Sequence, residues 1–388
     1  MITYILLITI IIYIILVLTI KIKLKFWSKQ PVFHLHNLLF WWFPPGIINH
    51  SLPIKNKYTN FNDITFMEFK YLTDDKLEDF VLLIQKHYLN DKKAKYLPDK
   101  QNISPYFSNH KYKSFISLYY KPSTFIKNDK IQTQKVLVGG ITGRPLQVYI
   151  NNIEFPIYYI DHLCVDKSNR QKGIAPQLIQ THEYNQRHNN KIITASLFKR
   201  EGNLTLIVPL VVYYTYAFKF CIWEIKQSLH SSIKLIKITT SNINLLVDFI
   251  ILKRKEFDCF ITTSLPNLLD LINSSNIYIY CLIQNQTILS AYFFRNSCTY
   301  YEKNKTLECF CCINNSTNIP VFVIGFSHAL KLFQSTYSIL LIENLGHTTD
   351  IIENILNKHT PSFVSKMAYY FYNFANRPIK EKRICIIN

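Results

Sequence analysis

The chain has 388 residues, 48% of them hydrophobic, and carries 44 Lys and Arg against 25 Asp and Glu for a formal charge of +19. That length and apolar content suffice for two ordinary domains with buried cores and exclude a globally disordered protein. So large a positive charge raises nucleic acid or an anionic membrane as partner, but the lysines are scattered through a chain rich in Ile, Asn and Tyr, and nucleic acid is not among the expected partners.

Ile2 to Ile20, ITYILLITIIIYIILVLTI, carries no charge. As a helix it would extend roughly 28 Å at about 1.5 Å per residue, enough to cross the hydrocarbon of a bilayer. No basic stretch precedes it and no small-residue cleavage site follows, which disfavours a removable signal peptide. Lys21, Lys23 and Lys25 come next, and the positive-inside rule keeps them, with all that follows, on the cytoplasmic side. The expectation is a single-pass membrane protein with a cytoplasmic body, anchored by residues 1–24.

An aromatic, Pro-interrupted arm follows, KFWSKQPVFHLHNLLFWWFPPG. Thr73-Asp74-Asp75-Lys76 reads as a capping-box-like start for the helix KLEDFVLLIQKHYLN. KSFISLYYK and QKVLVGGITGRPLQVYI predict a hairpin, with turns at Gly139-Gly140 and Gly143. The strand PIYYIDHLCV, a helix from near Ile174 and the strand KIITASLF come next, then an apolar, Tyr-rich run to Phe220. From about residue 230 the plan repeats: helix SNINLLVDFIIL, strands IYIYCLI, TILSAYFF and ECFCCIN, helix VFVIGFSHALKLFQ, strand YSILLIE. Two α+β halves of related layout, with no linker rich in Gly, Pro or Ser, predict one body. Of the nine cysteines, Cys309, Cys311 and Cys312 crowd into ECFCCIN, which alternates like a strand, and its one CxxC spacing, Cys309 to Cys312, has no second pair to complete a metal site. Reduced, mostly buried thiols and no metal are expected, as in a cytosolic compartment. The triplet Asn203-Leu204-Thr205 is what an Asn-rich chain yields by chance.

The stretch IDHLCVDKSNRQKGIAPQLI, Ile160 to Ile179, joins a strand to a helix through a basic turn. Unpaired N–H groups at a helix N-terminus attract anions; Arg170 and Lys172 add positive charge, and Gly173 leaves out a Cβ. Arg170, Gly173 and Ala175 fit the Arg-x-x-Gly-x-Ala pattern with which acetyltransferase-like (GNAT) folds hold a coenzyme A pyrophosphate. A plain basic strand-to-helix turn is the competing reading.

Three motifs together resemble the N-myristoyltransferase family. Asp161-His162-Leu163-Cys164-Val165 and Arg170 to Pro176 are similar to that family's Asn-Phe-Leu-Cys-Val and Arg-x-Lys-x-x-Ala-Pro. Phe26-Trp27-Ser28-Lys29-Gln30-Pro31-Val32 resembles its Phe-Trp-x-Thr-Gln-Pro-Val, and Tyr369-Tyr370-Phe371-Tyr372-Asn373-Phe374 its Tyr-Tyr-Leu-Tyr-Asn-Trp. The resemblance covers nearly all of the chain after residue 25. It implies an α+β fold of two GNAT-like halves in pseudo-twofold arrangement, preceded by one transmembrane helix. Residues 25–225 would be the acyl-CoA-binding half, and residues 226–388 the half that brings the chain terminus to the active site.

The implied activity is transfer of a myristoyl group from myristoyl-CoA, a co-substrate and not a resident cofactor, to the α-amine of an N-terminal glycine on a protein or peptide. The resemblance assigns the backbone N–H groups of His162 and Leu163 to the thioester oxyanion and the terminal carboxylate of Asn388 to the base. Lys25, Phe26 and Trp27 match the arm along CoA; Cys164, Val165, Arg170, Gln171, Gly173, Ile174 and Ala175 match positions that line the acyl-CoA.

The chain also departs from the family. Asp161 replaces an Asn, Gly173 replaces an Arg or Lys, and a Tyr-Thr-Ala-Gly strand and a Tyr-x-His-Arg motif find only Ala195-Ser196 and Tyr213-Tyr214-Thr215-Tyr216 as counterparts. An acidic loop of the family reads Asp91-Lys92-Lys93-Ala94-Lys95 here, which implies acceptors with acidic or neutral residues after the glycine. Two alternatives stand beside the main reading: another acyl-CoA-dependent N-acyltransferase of the GNAT fold, and a catalytically silent relative that binds acyl-CoA or peptide.

Overall fold

A computed structural model describes residues 1–43, 46–127, 130–202, 206–220 and 228–388. The Asn203-Leu204-Thr205 triplet, Pro44 and Pro45 of the arm, Cys221 and the boundary expected at residue 225 lie outside the described residues.

Helix α1 (Ile2–Lys23) leaves nearly every side chain exposed and is long and apolar enough to cross a membrane. The arm after it is mostly irregular, with single helical turns at Trp27–Lys29 and Leu39–Trp42. Helix α2 (Asp74–His87) starts after Thr73, whose hydroxyl makes no capping bond, so the expected capping box is not formed. Charge stabilises the helix ends in its place: Asp74 and Asp75 sit in the first turn and Lys86 and His87 in the last, complementing the helix dipole. The remaining long helices are α3 (Ile174–Asn189), α4 (Ile243–Lys253), α5 (Leu265–Asn273), α6 (Ile319–Lys331) and α7 (Thr348–Leu356).

The first half contributes strands β1 (Ile64–Glu68), β2 (Ala94–Tyr96), β3 (Phe115–Lys127), β4 (Lys130–Ile150), β5 (Ile153–Val165), β6 (Ser196–Glu201) and β7 (Val211–Lys219). The second contributes β8 (Ile233–Lys237), β9 (Cys259–Thr262), β10 (Ile277–Gln284), β11 (Thr287–Tyr301), β12 (Asn304–Asn314), β13 (Ile339–Glu343), β14 (Phe363–Tyr372) and β15 (Ile384–Ile387). All fifteen join one sheet.

The two halves repeat one plan. β3, β4 and β5 form an antiparallel meander, α3 crosses over, and β6 adds parallel to β5. β10, β11 and β12 form the second meander, α6 crosses over, and β13 adds parallel to β12. Each half then lends its next strand to the other. β7 pairs with β13, β14 pairs with β6, and β7 and β14 lie antiparallel to each other. The pseudo-twofold relation expected between two acetyltransferase-like halves therefore passes between β7 and β14, and the exchange makes one continuous sheet. At its far edge β15 runs parallel to β9, the edge-strand position foreseen for ICII.

The glycines of β4 do not turn the chain. Gly139, Gly140 and Gly143 lie within a strand of 21 residues. They are small because helices press on them: a Cβ on Gly140 would lie 2.6 Å from a Phe80 ring carbon of α2, and one on Gly143 2.5 Å from Gln186 Oε1 of α3. Residues 128 and 129, between β3 and β4, lie outside the described residues. Strand β6 begins at Ser196, five residues later than KIITASLF implied. The eight described cysteines are all free and buried.

Candidate active site

The fold makes its site where β5 loses register. Thr142 of β4 faces Asp161, and Gly140 faces Cys164, so His162 and Leu163 together share one position opposite Ile141. His162 takes the left-handed φ of +50°, the conformation of a β-bulge, which bends a strand and turns amides out of the ladder. One freed donor is used locally: His162 N–H donates to Asp161 Oδ1 at 2.8 Å. The imidazole packs inward, with Nδ1 3.3 Å from Thr142 Oγ1, and burial lowers its pKa against the pull of Asp161. Burial works to raise the Asp161 carboxyl, yet His162, Arg144 and the bulge N–H together hold it below the ordinary carboxylate range. An ionised Asp161 thus sits on the bulge.

After β5 the chain turns through Lys167–Asn169 into α3, with left-handed φ at Gln171 (+63°) and Gly173 (+76°). A Cβ on Gly173 would meet no protein atom within 4 Å, so its φ is what favours glycine there. Arg170 is not a free cation: Nε donates to Val165 O at 3.2 Å, and Nη2 donates to His87 O in the last turn of α2. It ties the end of β5 to a helix C-terminus whose carbonyls lack intrahelical partners. Cys164, Val165 and Ile174 are buried, Ala175 is half-buried, and Gln171 is exposed.

The two outlying motifs meet each other. Trp27 stacks on Phe198 of β6 at 5.5 Å, and Phe198 stacks on Tyr370 of β14 at 5.3 Å. Tyr372 donates to Gln30 Oε1 at 2.7 Å, and Asn373 N–H donates to Pro31 O at 2.6 Å. Phe26 is buried edge-on against Trp27 and Tyr58, while Lys25 is exposed.

Asn388 is 2% exposed. The edge strand β15 delivers it beside Arg295 of β11, whose Nη1 lies 3.4 Å from Asn388 O and 3.3 Å from Oδ1. Arg295 also forks onto Glu308 of β12 with bonds of 2.8 and 3.1 Å, and Lys199 of β6 pairs with Glu343 of β13, which Tyr213 also reaches at 3.2 Å. This ion cluster lies where the halves exchange strands. Burial opposes the Glu308 charge, but Arg295 and Lys199 overcome it and lower the carboxyl; Glu343, buried next to Glu308, is raised.

A cavity of about 570 Å³ collects these parts. His162, Leu163, Asn388 and Trp27 of the sequence-derived site line it. Lys25, Phe26, Cys164, Val165, Arg170, Gln171, Gly173, Ile174 and Ala175 are not part of its lining and form the arm and the strand-to-helix turn. Sequence reasoning passed over Arg144, Lys199, Arg295 and Glu308, which also line the cavity. The available signal was a charge inside an apolar strand, as in AYFFRN and LECFCC.

A strand bulge, the buried Asn388 and a cavity between two halves of one plan define the site. Residues 50–210 match the family model for Myristoyl-CoA:protein N-myristoyltransferase, N-terminal domain. The structure is similar to that of Saccharomyces cerevisiae N-myristoyltransferase with bound myristoyl-CoA, with a TM-score of 0.73 and 14% identity over 94% of this chain and 99% of that one. A second structure of the yeast enzyme, with bound myristoyl-CoA and inhibitors, gives a TM-score of 0.70 and 15% identity over 95% and 94% of the two chains. A putative glycylpeptide N-tetradecanoyltransferase 2 of Arabidopsis thaliana is 25% identical over 161 residues. That match spans 40% of this chain and 35%, about a third, of the curated relative. The fold is therefore that of the N-myristoyltransferases, and residues 50–210 match the model of that family's N-terminal domain.

Proposed function

We propose that this chain transfers a myristoyl group from myristoyl-CoA to the α-amine of an N-terminal glycine. One observation carries the reading: the buried Asn388 and the His162–Leu163 bulge line the same cavity. In this scheme the terminal carboxylate takes a proton from the glycine ammonium, and the free amine attacks the thioester carbonyl. The bulge amides hold the oxyanion; as it collapses the C–S bond breaks, the CoA thiolate leaves and takes up the proton that the attacking nitrogen sheds, and the amide remains. Arg295 gives the carboxylate a cationic neighbour, and the burial of both groups strengthens that interaction.

The acyl-CoA would lie along the arm at Lys25, Phe26 and Trp27 and along the turn formed by Cys164, Val165, Arg170, Gln171, Gly173, Ile174 and Ala175. Residues 1–24 would anchor the body, 25–225 bind acyl-CoA, and 226–388 bring in the terminus. We place the body on the cytoplasmic side of the bilayer from Lys21, Lys23 and Lys25, where both an acyl-CoA donor and a lipidated product concentrate.

The silent-relative reading has one observation in its favour, the occupation of the His162 donor by Asp161. A single assay separates the readings: the full chain in lipid nanodiscs, labelled acyl-CoAs of several lengths, and peptides that begin with glycine. Transfer of the 14-carbon chain supports the proposal. Transfer of another chain assigns a different N-acyltransferase, and binding without transfer assigns the silent relative.

A further inference from the structure

Arg144 is out of place electrostatically. It points from β4 in the register position opposite Tyr159 of β5 and is 2% exposed. The Tyr106 and Tyr159 rings each lie 5.0 Å from its guanidinium carbon, so it is held between two aromatic faces. Nε and Nη1 have no hydrogen-bond partner. Among the described residues no carboxylate comes within 4.0 Å of it, whereas Lys199 and Arg295, the other largely buried cations of this cavity, are both matched to Glu308 and Glu343. A guanidinium keeps its charge even when buried; the charge of Asp161 reaches Arg144 but makes no contact with it, so the fork is left without a directly paired carboxylate. Asp161 is the nearest acid along the strands, two residues from Tyr159, but its Oδ1 is taken by His162 N–H.

We infer that Arg144 is a subsite for a carboxylate carried by the acyl acceptor. The inference rests on the transfer reading above, since it names what that reaction's second substrate brings. A planar guanidinium fork fits a carboxylate through two parallel bonds, and the stacked tyrosines fix its plane. Distance sets where the carboxylate sits. Arg144 lies opposite Tyr159, and two residues of strand, about 7 Å, separate Tyr159 from the bulge side of Asp161. An extended acceptor with its amine at the bulge therefore places its second or third residue at Arg144.

The cavity rim agrees independently. Leu89 and Tyr96 line the cavity, and the loop between them exposes Lys92, Lys93 and Lys95. Its one acid, Asp91, is occupied by the N–H groups of Lys93 and Ala94 at 2.8 and 2.7 Å. The acceptor is thus an acidic peptide with Asp or Glu next to its glycine, or a short glycyl acceptor whose own α-carboxylate reaches Arg144.

The test uses the full chain in nanodiscs, myristoyl-CoA, and peptide amides beginning Gly-Asp-Ala, Gly-Ala-Asp or Gly-Ala-Ala. A free-acid and an amidated glycyl dipeptide distinguish an acidic side chain from an α-carboxylate as the source. Both transfer and equilibrium binding of fluorescently labelled peptides are read. The unaltered chain should favour at least one carboxylate-bearing acceptor over its neutral partner by about tenfold, the size of one good charge-assisted contact. Arg144→Met should bring that ratio to about one, and Arg144→Lys should retain a preference, with melting curves showing that both variants are folded. A ratio near one in the unaltered chain, or an unchanged ratio in Arg144→Met, overturns the subsite. The binding arm decides this even if no peptide is acylated, an outcome that would sink the transfer reading alone.

Discussion

Two acids near the cavity set its response to charge and pH. In the proposed mechanism Asp161 places a carboxylate on the His162 N–H that would hold the oxyanion, and like charge opposes the developing negative oxygen. Asp161→Asn should raise the transfer rate roughly three- to tenfold with little change in KM, because the effect falls on the transition state; an unchanged or lower kcat speaks against this role. Glu183 of α3 is buried, and burial raises its pKa to about 7 even though Arg187 lies 3.9 Å away. Between about 4.5 and about 7 the folded chain holds a proton that the unfolded chain has released, so stability falls as pH rises through that window. Glu183→Gln should flatten this slope and raise the melting temperature above pH 7, as thermal unfolding across pH would show. At this scale the sequence was legible only where a motif pointed. Leu-Cys-Val pointed to His162 and Leu163, whereas Lys199 and Arg295 are single charges in apolar strands whose carboxylate partners lie on other strands, and Arg144 is a single charge set between the Tyr106 and Tyr159 rings. Local pattern does not report such pairings. Arg170 shows the converse: its motif suggested a free anion-binding cation, and the packing of α2 beside β5 uses its guanidinium on backbone carbonyls.

Elements were read more completely, because periodicity is a local property. The helix beginning near Ile174, the α4 segment and the strands from Ile277 to Glu343 all lie where the pattern put them. The errors share a cause. Glycines in QKVLVGGITGR look like turn residues to a local reading, but the Phe80 ring and the α3 side chains, remote in sequence, are what exclude a Cβ. Gly140→Ala should therefore destabilise the chain by about 1–3 kcal/mol through overpacking, and Phe80→Leu should recover part of the loss. A neutral Gly140→Ala melting curve would mean that α2 is free to shift. Thr73 failed as a capping box for a related reason: its side chain had to find a backbone donor, and Asp74 and Asp75 already favour the helix N-terminus through their charge.

The whole molecule depends on the exchange of β7 and β14 between its halves. That exchange places Lys199 and Glu343, from different halves, within one ion cluster, and it brings the arm motif against Tyr370 and Tyr372. The repeat of helix, meander, helix and strand was legible in sequence; the swap was not, since nothing local marks which neighbour a strand will choose. It also explains how the last strand of the chain can bring Asn388 into a cavity whose bulge belongs to the first half. The account stands or falls on that terminus. Residues appended after Asn388 would convert its carboxylate to an amide and push a polar chain into a buried site. Glycylpeptide acylation should then fall by at least about a hundredfold, the usual range for a lost general base, while binding of myristoyl-CoA stays within about twofold. Full acylation activity in a chain extended beyond Asn388 would contradict the central claim.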